Sequence, residues 1–294
     1  MDGPMDSCRL CGSNALAILD TIPAVRLKAS YSFDTVRFFP GDSVELRGCL
    51  DCGLRTFAQA LPGDSEFYDR LQSIPKYYED DKAEFEHALA TIAAVKPASV
   101  LDVGAGCGLF LRKLLRIPSL RVRASELSER SLAALRQAGI AIDAPGDRYD
   151  FVCSFQVFEH LADLQAIMAF VDEKLLAGGH LLVSVPNPDS PLFRETFAYL
   201  DYPPHHMNRF TKRALESMGR LLGYSAVDYW QEPLRIEHFS SVVKGRRQKL
   251  LAGGRLHWLR ERLGALADTI LLPALHGQRE EIGHSHTMVY RKPV

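Results

Sequence analysis

The sequence predicts an α/β fold in which a doubly wound, mainly parallel sheet follows a small β module at the N-terminus. Two observations predict the sheet. From residue 98 onward, apolar strand-like runs alternate with segments of helical periodicity, and the first run ends in a glycine-rich loop that leads into a helix. A third observation predicts the module, because two C-x-x-C pairs lie within the first 52 residues.

Composition excludes several classes of protein. The chain has 294 residues, of which 47% are hydrophobic and 24% charged, as in ordinary globular proteins. Lys and Arg number 35 against 36 Asp and Glu, so no overall positive field would recruit nucleic acid or an anionic membrane. "MDGPMDSCRL" lacks the apolar run of a secretory signal, and "LGALADTILLPAL" is too short to span a bilayer. We expect a cytoplasmic protein without a membrane span.

The N-terminal module contains "CRLCG" and "CLDCG", which place Cys8, Cys11, Cys49 and Cys52 in two knuckles of one type. The glycine after each second cysteine frees the backbone to turn amide groups toward thiolate sulfur. Four thiolates suit tetrahedral Zn²⁺, and such a closed site has a structural role. Redox dithiols and chance pairing are the alternatives. The insert, "SYSFDTVRFF" and "SVELRG" separated by "PGD", is predicted to form a β-hairpin.

Residues 61–97 differ from both neighbours in being polar and helix-rich. Pro75 interrupts the predicted helices and Pro97 ends them. Tyr77 and Tyr78 lie between the two helical pieces. The segment is interpreted either as a connecting arm whose tyrosines pack on the next domain or as a lid over a ligand.

The stretch "ASVLDVGAGCGLFLRKLLRI" predicts a strand, a glycine loop and a helix, a unit that brings backbone close to a ligand at the carboxyl end of a parallel strand. Gly104, Gly106 and Gly108 have the spacing G-x-G-x-G, which differs from the G-x-G-x-x-G of dinucleotide-binding loops. Asp102 precedes the first glycine by two residues. Its carboxylate would repel a pyrophosphate and attract a ligand that carries an ammonium group.

A second strand is predicted from "RVRASELS", and it ends at Glu126. Ser128 then caps a helix that Gly139 terminates. An acid at the end of this strand accepts hydrogen bonds from ribose hydroxyls in doubly wound folds. A ligand with an amino-acid end, a ribose and no phosphate is S-adenosylmethionine or a close relative.

Together these features resemble the class I S-adenosylmethionine-dependent methyltransferases. The matching parts are "LDVGAGCG", Glu126, "YDFVCSFQVFEHL" at 149–161 and "LLAGGHLLVSVPN" at 175–187, and the resemblance covers about residues 75–232. It implies a Rossmann-like, seven-stranded sheet with an antiparallel last strand, for which "HTMVYRKP" is suited. It also implies S-adenosylmethionine as cofactor, with these contacts: Tyr78, Asp102, Gly104, Ala105, Gly106, Glu126, Leu127, Phe155 and Gln156.

Other elements of the sheet follow from periodicity. "YDFVCSF" predicts a buried strand with Cys153 as a small core residue, and "DLQAIMAFVDEKLLAGG" predicts a helix with one apolar face. In the family, an acid after the third strand often meets the adenine amino group. Because "GIAIDAPGDRYD" is compressed, Asp143 or Asp147 would have to serve here.

The stretch "DYPPHHMNRF" comes soon after the fifth strand, and "QVFEH" follows the fourth, so both are expected on the acceptor side of the site. Pro203 and Pro204 are expected to hold the chain extended, which lowers the entropy cost of fixing His205 and His206. The segment also resembles the Y-P-P-H-H stretch of many methyltransferases of this group.

We predict His205, His206 and Glu159 as the catalytic residues, because imidazole has a pKa near working pH and is suited to remove a hydroxyl proton. Alternatively, one histidine caps a helix or pairs with Glu159 to lock the loop. His160 is interpreted as structural, since it starts a helix beneath the site. Thr211 is predicted to cap the following helix.

Three parts are predicted: a zinc-binding module at 1–60, a helical linker or lid at 61–97, and a methyltransferase domain at 98–294 with insertions at about 188–212 and 233–285. Within the second insertion, residues 256–270 carry an apolar helical stripe with a basic opposite side. The stripe is interpreted as packed on the domain or as part of a groove for an anionic acceptor.

The predicted function is methylation of a small polar acceptor, with oxygen of a sugar, a nucleotide-linked or phosphorylated sugar or a glycan precursor as the target. A cysteine-knuckle head on this methyltransferase type resembles enzymes that methylate deoxysugars or glycan precursors. The alternatives are C-methylation of a deoxysugar, or a non-catalytic zinc-ribbon binding protein with a degenerate methyltransferase domain. Asp102 and the loop spacing disfavour a nucleotide-dependent oxidoreductase. We expect no nucleic-acid partner and a monomer or dimer.

Overall fold

The computed structural model describes residues 6–73, 82–235, 238–239, 241–244 and 282–294. Its strands are β1 (Leu16–Pro23), β2 (Ser43–Cys49), β3 (Arg55–Ala58), β4 (Ser99–Val103), β5 (Arg121–Ser125), β6 (Tyr149–Phe155), β7 (Leu175–Pro186), β8 (Asn208–Arg209), β9 (Ser225–Pro233) and β10 (Ile282–Arg291). Its α-helices are α1 (Ala24–Lys28), α2 (Ser65–Gln72), α3 (Ala83–Val95), α4 (Leu109–Leu114), α5 (Glu129–Gln137), α6 (Leu164–Lys174), α7 (Pro191–Glu195) and α8 (Lys212–Leu222).

The larger sheet has the strand order β5-β4-β6-β7-β10-β9. Strands β5, β4, β6 and β7 are parallel, whereas β10 is antiparallel to both β7 and β9. All five residues of β4 are buried, as expected of a strand covered on both faces. The prediction of a doubly wound α/β sheet with an antiparallel last strand is confirmed.

The predicted seventh strand is reduced to a single bridge. In the described part of the chain this sheet has six strands, and beyond β5 only Ala124 and Ile142 pair, in parallel orientation. The segment is too short for a full ladder because Pro145 and Gly146 turn the chain toward β6 four residues later.

Two hydrophobic cores cover the faces of the large sheet. Helices α3, α4 and α5 pack on one face, where Phe85, Phe110 and Leu135 are buried against the strands. Helices α6 and α8 pack on the other, which they share with Leu10 and Leu54 from the cysteine-containing segment. The helices thus wind on both sides of the sheet, and the N-terminal segment extends one of its cores.

The smaller sheet is antiparallel, with the order β1-β2-β3-β8. The predicted hairpin between residues 30–39 and 43–48 is wrong, because β2 pairs with β1 and β3 instead. Asp34 Oδ1 accepts a hydrogen bond from Val36 N at 2.8 Å and starts a 3₁₀ turn. The adjacent Phe38 and Phe39 are both 3% exposed within one core, which a strand forbids because successive side chains point to opposite faces.

The segment between the sheets begins with α2 and continues to α3, which follows residues that the structure does not describe. Asp64 caps α2 by accepting a hydrogen bond from Phe67 N at 2.9 Å. Phe67 lies at the centre of an aromatic cluster with Tyr31 and Phe38, both at ring distances of 5.5 Å. Tyr77, Tyr78 and the stripe at 256–270 lie outside the described residues. No described helix combines the length and apolar character needed to cross a bilayer.

Candidate functional site

The glycine loop between β4 and α4 lies at the carboxyl edge of the large sheet. Gly104 N and Ala105 N donate hydrogen bonds to the Ser125 carbonyl of β5 at 2.8 and 3.2 Å. Gly104 has φ of +74°, and a Cβ at this position would lie 2.4 Å from Val157 Cγ2. Glycine is therefore required here both by conformation and by space.

Asp102 is buried beneath this loop, with an exposed fraction of 3%. Among the described residues, its Oδ1 atom has no hydrogen-bond partner. Burial, assisted by the charge of Glu126, raises the pKa of Asp102 to about 8. An orphaned carboxyl oxygen at this point would gain from a cationic ligand, because an ammonium group would both pair with it and favour its ionised form.

Glu126 follows β5 and is oriented by backbone amides. Its Oε2 accepts from Gly106 N at 2.7 Å, and its Oε1 accepts from Leu127 N at 2.7 Å and from Ser128 N at 2.9 Å. A carboxylate accepts about four hydrogen bonds, so it retains capacity for a ligand hydroxyl. The Leu127 side chain is 93% exposed, so a ligand held by Glu126 could contact it.

Phe155 and Gln156 lie at the carboxyl end of β6. Phe155 is buried, with its ring centroid 4.7 Å from that of Phe110 and 5.0 Å from that of Phe85. Gln156 has φ of +56°, an uncommon conformation for a residue with a side chain, and its Nε2 lies 3.3 Å from Glu84 Oε1. Non-glycine residues in this region concentrate at functional sites.

Asp143 and Asp147 are both held within the fold. Lys174 Nζ lies 2.6 Å from Asp143 Oδ2, and the Tyr149 hydroxyl donates to Asp143 Oδ1 at 2.7 Å. Asp147 Oδ1 is 3.6 Å from Arg121 NH1. Each carboxylate is thus held within the fold, and either would have to meet an adenine amino group with a remaining lone pair.

The chain turns at the two prolines, so the prediction of an extended segment is wrong. The peptide bond between Pro203 and Pro204 is cis. The Tyr202 carbonyl accepts hydrogen bonds from His205 N at 3.2 Å and from His206 N at 3.1 Å. This turn folds both imidazoles back toward the sheet and buries them.

Three imidazole rings meet at this place. The ring centroids of His160 and His205 are 4.4 Å apart, those of His160 and His206 are 4.8 Å apart, and His205 and His206 stack at 4.6 Å. One nitrogen of each ring lies within 4.8 Å of one nitrogen of the other two. His160 ends a 3₁₀ turn at Phe158–His160 after β6, and its ring belongs to the same cluster as the two predicted histidines.

Backbone carbonyls fix the orientation of two rings. His160 Nδ1 lies 2.8 Å from the His205 carbonyl oxygen, and His205 Nδ1 lies 2.9 Å from the Leu200 carbonyl oxygen. A carbonyl only accepts hydrogen bonds, so each Nδ1 donates and each Nε2 carries the lone pair in the neutral ring. Burial lowers the pKa of His160 to about 4 and those of His205 and His206 well below the usual value. The cluster is therefore neutral at pH 7.

Glu159 adjoins this cluster and is 1% exposed. Neither of its carboxyl oxygens has a hydrogen-bond partner among the described residues, and Oε1 lies 3.9 Å from His160 Nε2. Burial raises the pKa of Glu159 to about 8. The Glu159 backbone carbonyl accepts from Met207 N at 2.7 Å, which joins the two segments that carry the site.

Several buried ionisable residues at the site were not predicted from the sequence. Asp201 Oδ1 lies 3.7 Å from His206 Nδ1 and 3.7 Å from His284 Nε2. Although burial opposes it, the hydrogen bond and charge of Asp201 raise the pKa of His284. Glu84 comes from α3 and is also buried. A local sequence pattern marks only Asp201, which stands just before the two prolines. Glu84 and His284 reach the site through the tertiary fold, which no local pattern shows.

The four knuckle cysteines form a second cluster, within the N-terminal segment. Cys8 Sγ lies 3.5 Å from Cys52 Sγ, Cys11 Sγ lies 3.6 Å from Cys49 Sγ, and all four sulfurs lie within 4.8 Å of one another. Tetrahedral zinc with Zn–S bonds of about 2.3 Å requires sulfur separations of about 3.8 Å. The Cys52 amide also points at Cys49 Sγ, at 3.5 Å. These four residues fit a zinc ion.

Comparison with models of protein families finds a match to a methyltransferase domain over residues 77–229, just over half of the chain. The chain belongs to this methyltransferase domain family. The match confirms the resemblance inferred from the glycine loop and Glu126. The matched residues also include His160, His205 and His206.

Curated relatives of the methyltransferase domain include two bacterial proteins of the same name. The ubiquinone biosynthesis O-methyltransferase of Cereibacter sphaeroides (strain KD131) is 29% identical over 125 residues, or 38% of this chain and 50% of the relative. The protein of the same name from Dinoroseobacter shibae is 28% identical over 134 residues, or 41% of this chain and 54% of the relative. The alignment spans about half the length of the curated relatives.

A solved structure of similar fold is phosphoethanolamine N-methyltransferase 2 of Haemonchus contortus in complex with S-adenosyl-L-methionine. It is 18% identical to this methyltransferase, with a TM-score of 0.46. The comparison covers 82% of this chain and 63% of that one.

Proposed function

We propose that this protein uses S-adenosylmethionine to methylate an oxygen atom of a small polar acceptor. One observation carries the proposal: the carboxyl edge of the large sheet holds both an acid-bearing glycine loop and a buried, neutral imidazole cluster. In open α/β sheets, ligands bind at this edge. The names of the curated relatives, both O-methyltransferases, support oxygen as the target atom.

The cofactor assignment rests on the acids at the loop. When bound, S-adenosylmethionine supplies an electrophilic methyl group on a sulfonium. Asp102 would hold the ammonium group through its orphaned Oδ1, and Glu126 would accept hydrogen bonds from the ribose hydroxyls with its remaining lone pairs. Gly104, Ala105 and Gly106 would lie against the ligand, together with the exposed Leu127 and with Phe155, Gln156 and Tyr78.

The acceptor side would promote loss of a hydroxyl proton. His205 and His206 are buried and neutral, and Glu159 is a buried carboxyl group without a described partner. Ordered, desolvated groups of this kind lower the barrier to proton removal, typically by about 10²–10⁴-fold in rate. An acceptor bearing several hydroxyls would satisfy the orphaned Glu159 oxygens.

A sugar, a nucleotide-linked or phosphorylated sugar or a glycan precursor is the acceptor class we propose, because the orphaned Glu159 oxygens and the three imidazoles can pair with several hydroxyls. C-methylation of a deoxysugar is the second candidate. A non-catalytic binding protein is disfavoured by the orphaned Asp102 and by the oriented Glu126. Cys8, Cys11, Cys49 and Cys52 would hold a structural zinc ion.

Methyl transfer from labelled S-adenosylmethionine to a panel of nucleotide sugars, phosphorylated sugars and an intermediate of ubiquinone biosynthesis tests this proposal. We expect an O-methylated product and a fall in kcat of at least about 10²-fold in His206→Gln. His180→Gln, which alters a histidine in the first half of β7, is the matched control and should remain active. A product methylated on carbon would select the alternative, and cofactor binding without transfer to any acceptor class would contradict the enzyme.

A further inference from the structure

We propose that His160, His205 and His206 form a binding site for a divalent first-row transition-metal ion, beside the buried carboxyl group of Glu159. One nitrogen from each imidazole lies within 4.8 Å of one from each of the others. The rings come from two segments that the Met207 N to Glu159 carbonyl bond joins at 2.7 Å. This site contains no sulfur ligand and is distinct from the cysteine cluster.

The surroundings of the rings match those of metal-bound histidines. Such histidines generally donate their second ring N–H to a carbonyl or a carboxylate, which fixes the tautomer. His160 Nδ1 meets the His205 carbonyl at 2.8 Å, and His205 Nδ1 meets the Leu200 carbonyl at 2.9 Å. His206 Nδ1 lies 3.7 Å from the carboxylate of Asp201. Carbonyl oxygens therefore fix the Nδ1 atoms of His160 and His205, and the carboxylate of Asp201 faces His206 from its Nδ1 side. In this arrangement the Nε2 lone pairs become the ligands.

Glu159 supplies an independent observation. It is 1% exposed, and neither carboxyl oxygen has a hydrogen-bond partner among the described residues. Its Oε1 atom lies 3.9 Å from His160 Nε2, on the side of that ring opposite the carbonyl-bound Nδ1. Burial of an unpartnered carboxyl group is unfavourable, and a cation shared with the imidazoles would remove that cost.

The set of donors selects the kind of ion. Metal–nitrogen bonds of about 2.1 Å require nitrogen separations of about 3.3 Å, so ring shifts of about 1 Å complete the geometry. Imidazole ligands suit Zn²⁺, Fe²⁺, Co²⁺ or Ni²⁺, whereas Ca²⁺ and Mg²⁺ prefer sets of oxygen ligands. We therefore assign the site to an ion of the former group.

The role of this ion rests on the proposed function. A metal bound by the three imidazoles would bind the acceptor hydroxyl and lower its pKa. The O–H bond would break with its proton passing to the Glu159 carboxylate. The oxygen would form the new bond to the methyl carbon while the S–CH₃ bond breaks and its electron pair stays on sulfur, giving the neutral thioether.

Metal content of the full-length protein tests the site without reference to activity. After saturation with Zn²⁺ and removal of excess by gel filtration, we expect about two ions per chain in the wild type and about one in His160→Gln. Cys11→Ser should also retain about one, and the His180→Gln control about two. About one ion in the wild type, or about two in His160→Gln, would overturn the proposal.

Cobalt absorption decides the question if His160→Gln does not fold. Co²⁺ added to wild-type protein that carries one equivalent of zinc, enough for the cysteine cluster alone, should give visible d–d bands without sulfur-to-cobalt charge transfer, because the ligands are nitrogen and oxygen. Cobalt bands accompanied by that charge transfer, or no binding, would contradict the site. The outcome is separable from the proposed function, since failure to methylate any acceptor would leave both metal measurements unchanged.

Discussion

Asp102 lies near the end of β4 and Glu159 comes soon after the neighbouring β6, and both are buried carboxyl groups. Each has at least one oxygen without a hydrogen-bond partner among the described residues. An unsatisfied buried polar group costs about 1–3 kcal/mol. Each group also has a pKa raised by burial, to about 8 in both cases. Groups of this kind concentrate at functional sites, where a ligand supplies the missing partner.

Asp102→Asn should change how stability depends on pH. Because the folded-state pKa of Asp102 is raised to about 8, folding favours its protonated form. The stabilisation is complete below about pH 4 and is lost as pH rises through about 8. Urea unfolding without ligand should therefore show that the free energy of unfolding of the wild type falls relative to the variant between about pH 5 and pH 8. A difference that is constant with pH would contradict the buried, protonated state.

Gly104→Ala should abolish cofactor binding and destabilise the fold. Gly139→Ala is the matched control, because Gly139 has φ of +72° and no atom within 4 Å of an added Cβ. We expect a loss of about 1 kcal/mol in the control from backbone strain alone, and a larger loss in Gly104→Ala from the contact with Val157. Calorimetric titration with S-adenosylhomocysteine and urea unfolding measure both effects. Equal losses in the two variants would show that the close packing of the loop is unimportant.

At the scale of an element, α8 joins the two sheets. Thr211 Oγ1 caps this helix by accepting from Ala214 N at 3.1 Å, as the sequence predicts, and it also donates to the Gly53 carbonyl at 3.0 Å. Arg213 NH2 lies within hydrogen-bond distance of the Leu50 and Asp51 carbonyls. The start of α8 therefore fixes the second cysteine knuckle against the large sheet.

Thr211→Ala should cost more stability than the loss of an ordinary cap. Asp163→Ala removes the cap of α6, where Asp163 Oδ1 accepts from Ala166 N at 2.9 Å, and should cost about 1 kcal/mol. Thr211→Ala should cost about 2 kcal/mol, because the Gly53 carbonyl also loses its donor. Thr211→Ser keeps the hydroxyl and should restore most of the difference in urea unfolding. Equal costs for the two alanine variants would show that the Gly53 bond contributes nothing.

Elements with one strong pattern were predictable from the sequence. Residues 99–103, 121–125 and 149–155 form strands as expected, since buried apolar runs bounded by turn residues have few alternatives. The strand predicted at 30–39 is wrong because its aromatic residues favour a strand locally, whereas the core of the smaller sheet takes up neighbouring rings from the same side of the chain. The pairing of β1 with β2 across residues 24–42 leaves no local pattern in the sequence, because it depends on contacts distant in sequence.

At the scale of the whole molecule, the cysteine-containing segment and the methyltransferase domain share a core. Cys8, Leu10 and Leu54 belong to the same buried cluster as Val183 of β7 and Leu215 of α8. Strand β8, which follows the two histidines, pairs with β3. The geometry of the imidazole cluster is thus connected to the integrity of the N-terminal segment.

Disruption of the cysteine cluster should destabilise the entire protein. We expect a single cooperative thermal transition in the wild type, and in Cys49→Ser a single transition at a midpoint lower by at least about 10 °C. The shared core makes separate unfolding of the two parts unfavourable. Scanning calorimetry measures this directly. Two resolved transitions in the variant, with the upper one at the wild-type midpoint, would show that the parts are independent.

The candidate site was partly predictable for the same reason as the fold. Asp102, Glu126 and the two histidines stand in local patterns, next to strand ends or prolines. The sequence favours a structural role for His160, because this residue stands at a predicted helix start. Its ring joins the imidazole cluster only through the turn at Tyr202, which the sequence does not show. Asp201 and His284 come together from segments far apart in sequence, which no local pattern specifies.

Binding of S-adenosylhomocysteine to the purified protein tests the central claim most directly. Calorimetric titration should show micromolar affinity in the wild type and in Glu129→Ala, an exposed acid in the first turn of α5. Glu126→Ala should bind at least about 10-fold more weakly, because it loses charged hydrogen bonds to the ribose. No binding in a folded wild-type sample, or equal affinity in Glu126→Ala, would contradict the assignment of this loop as the cofactor site.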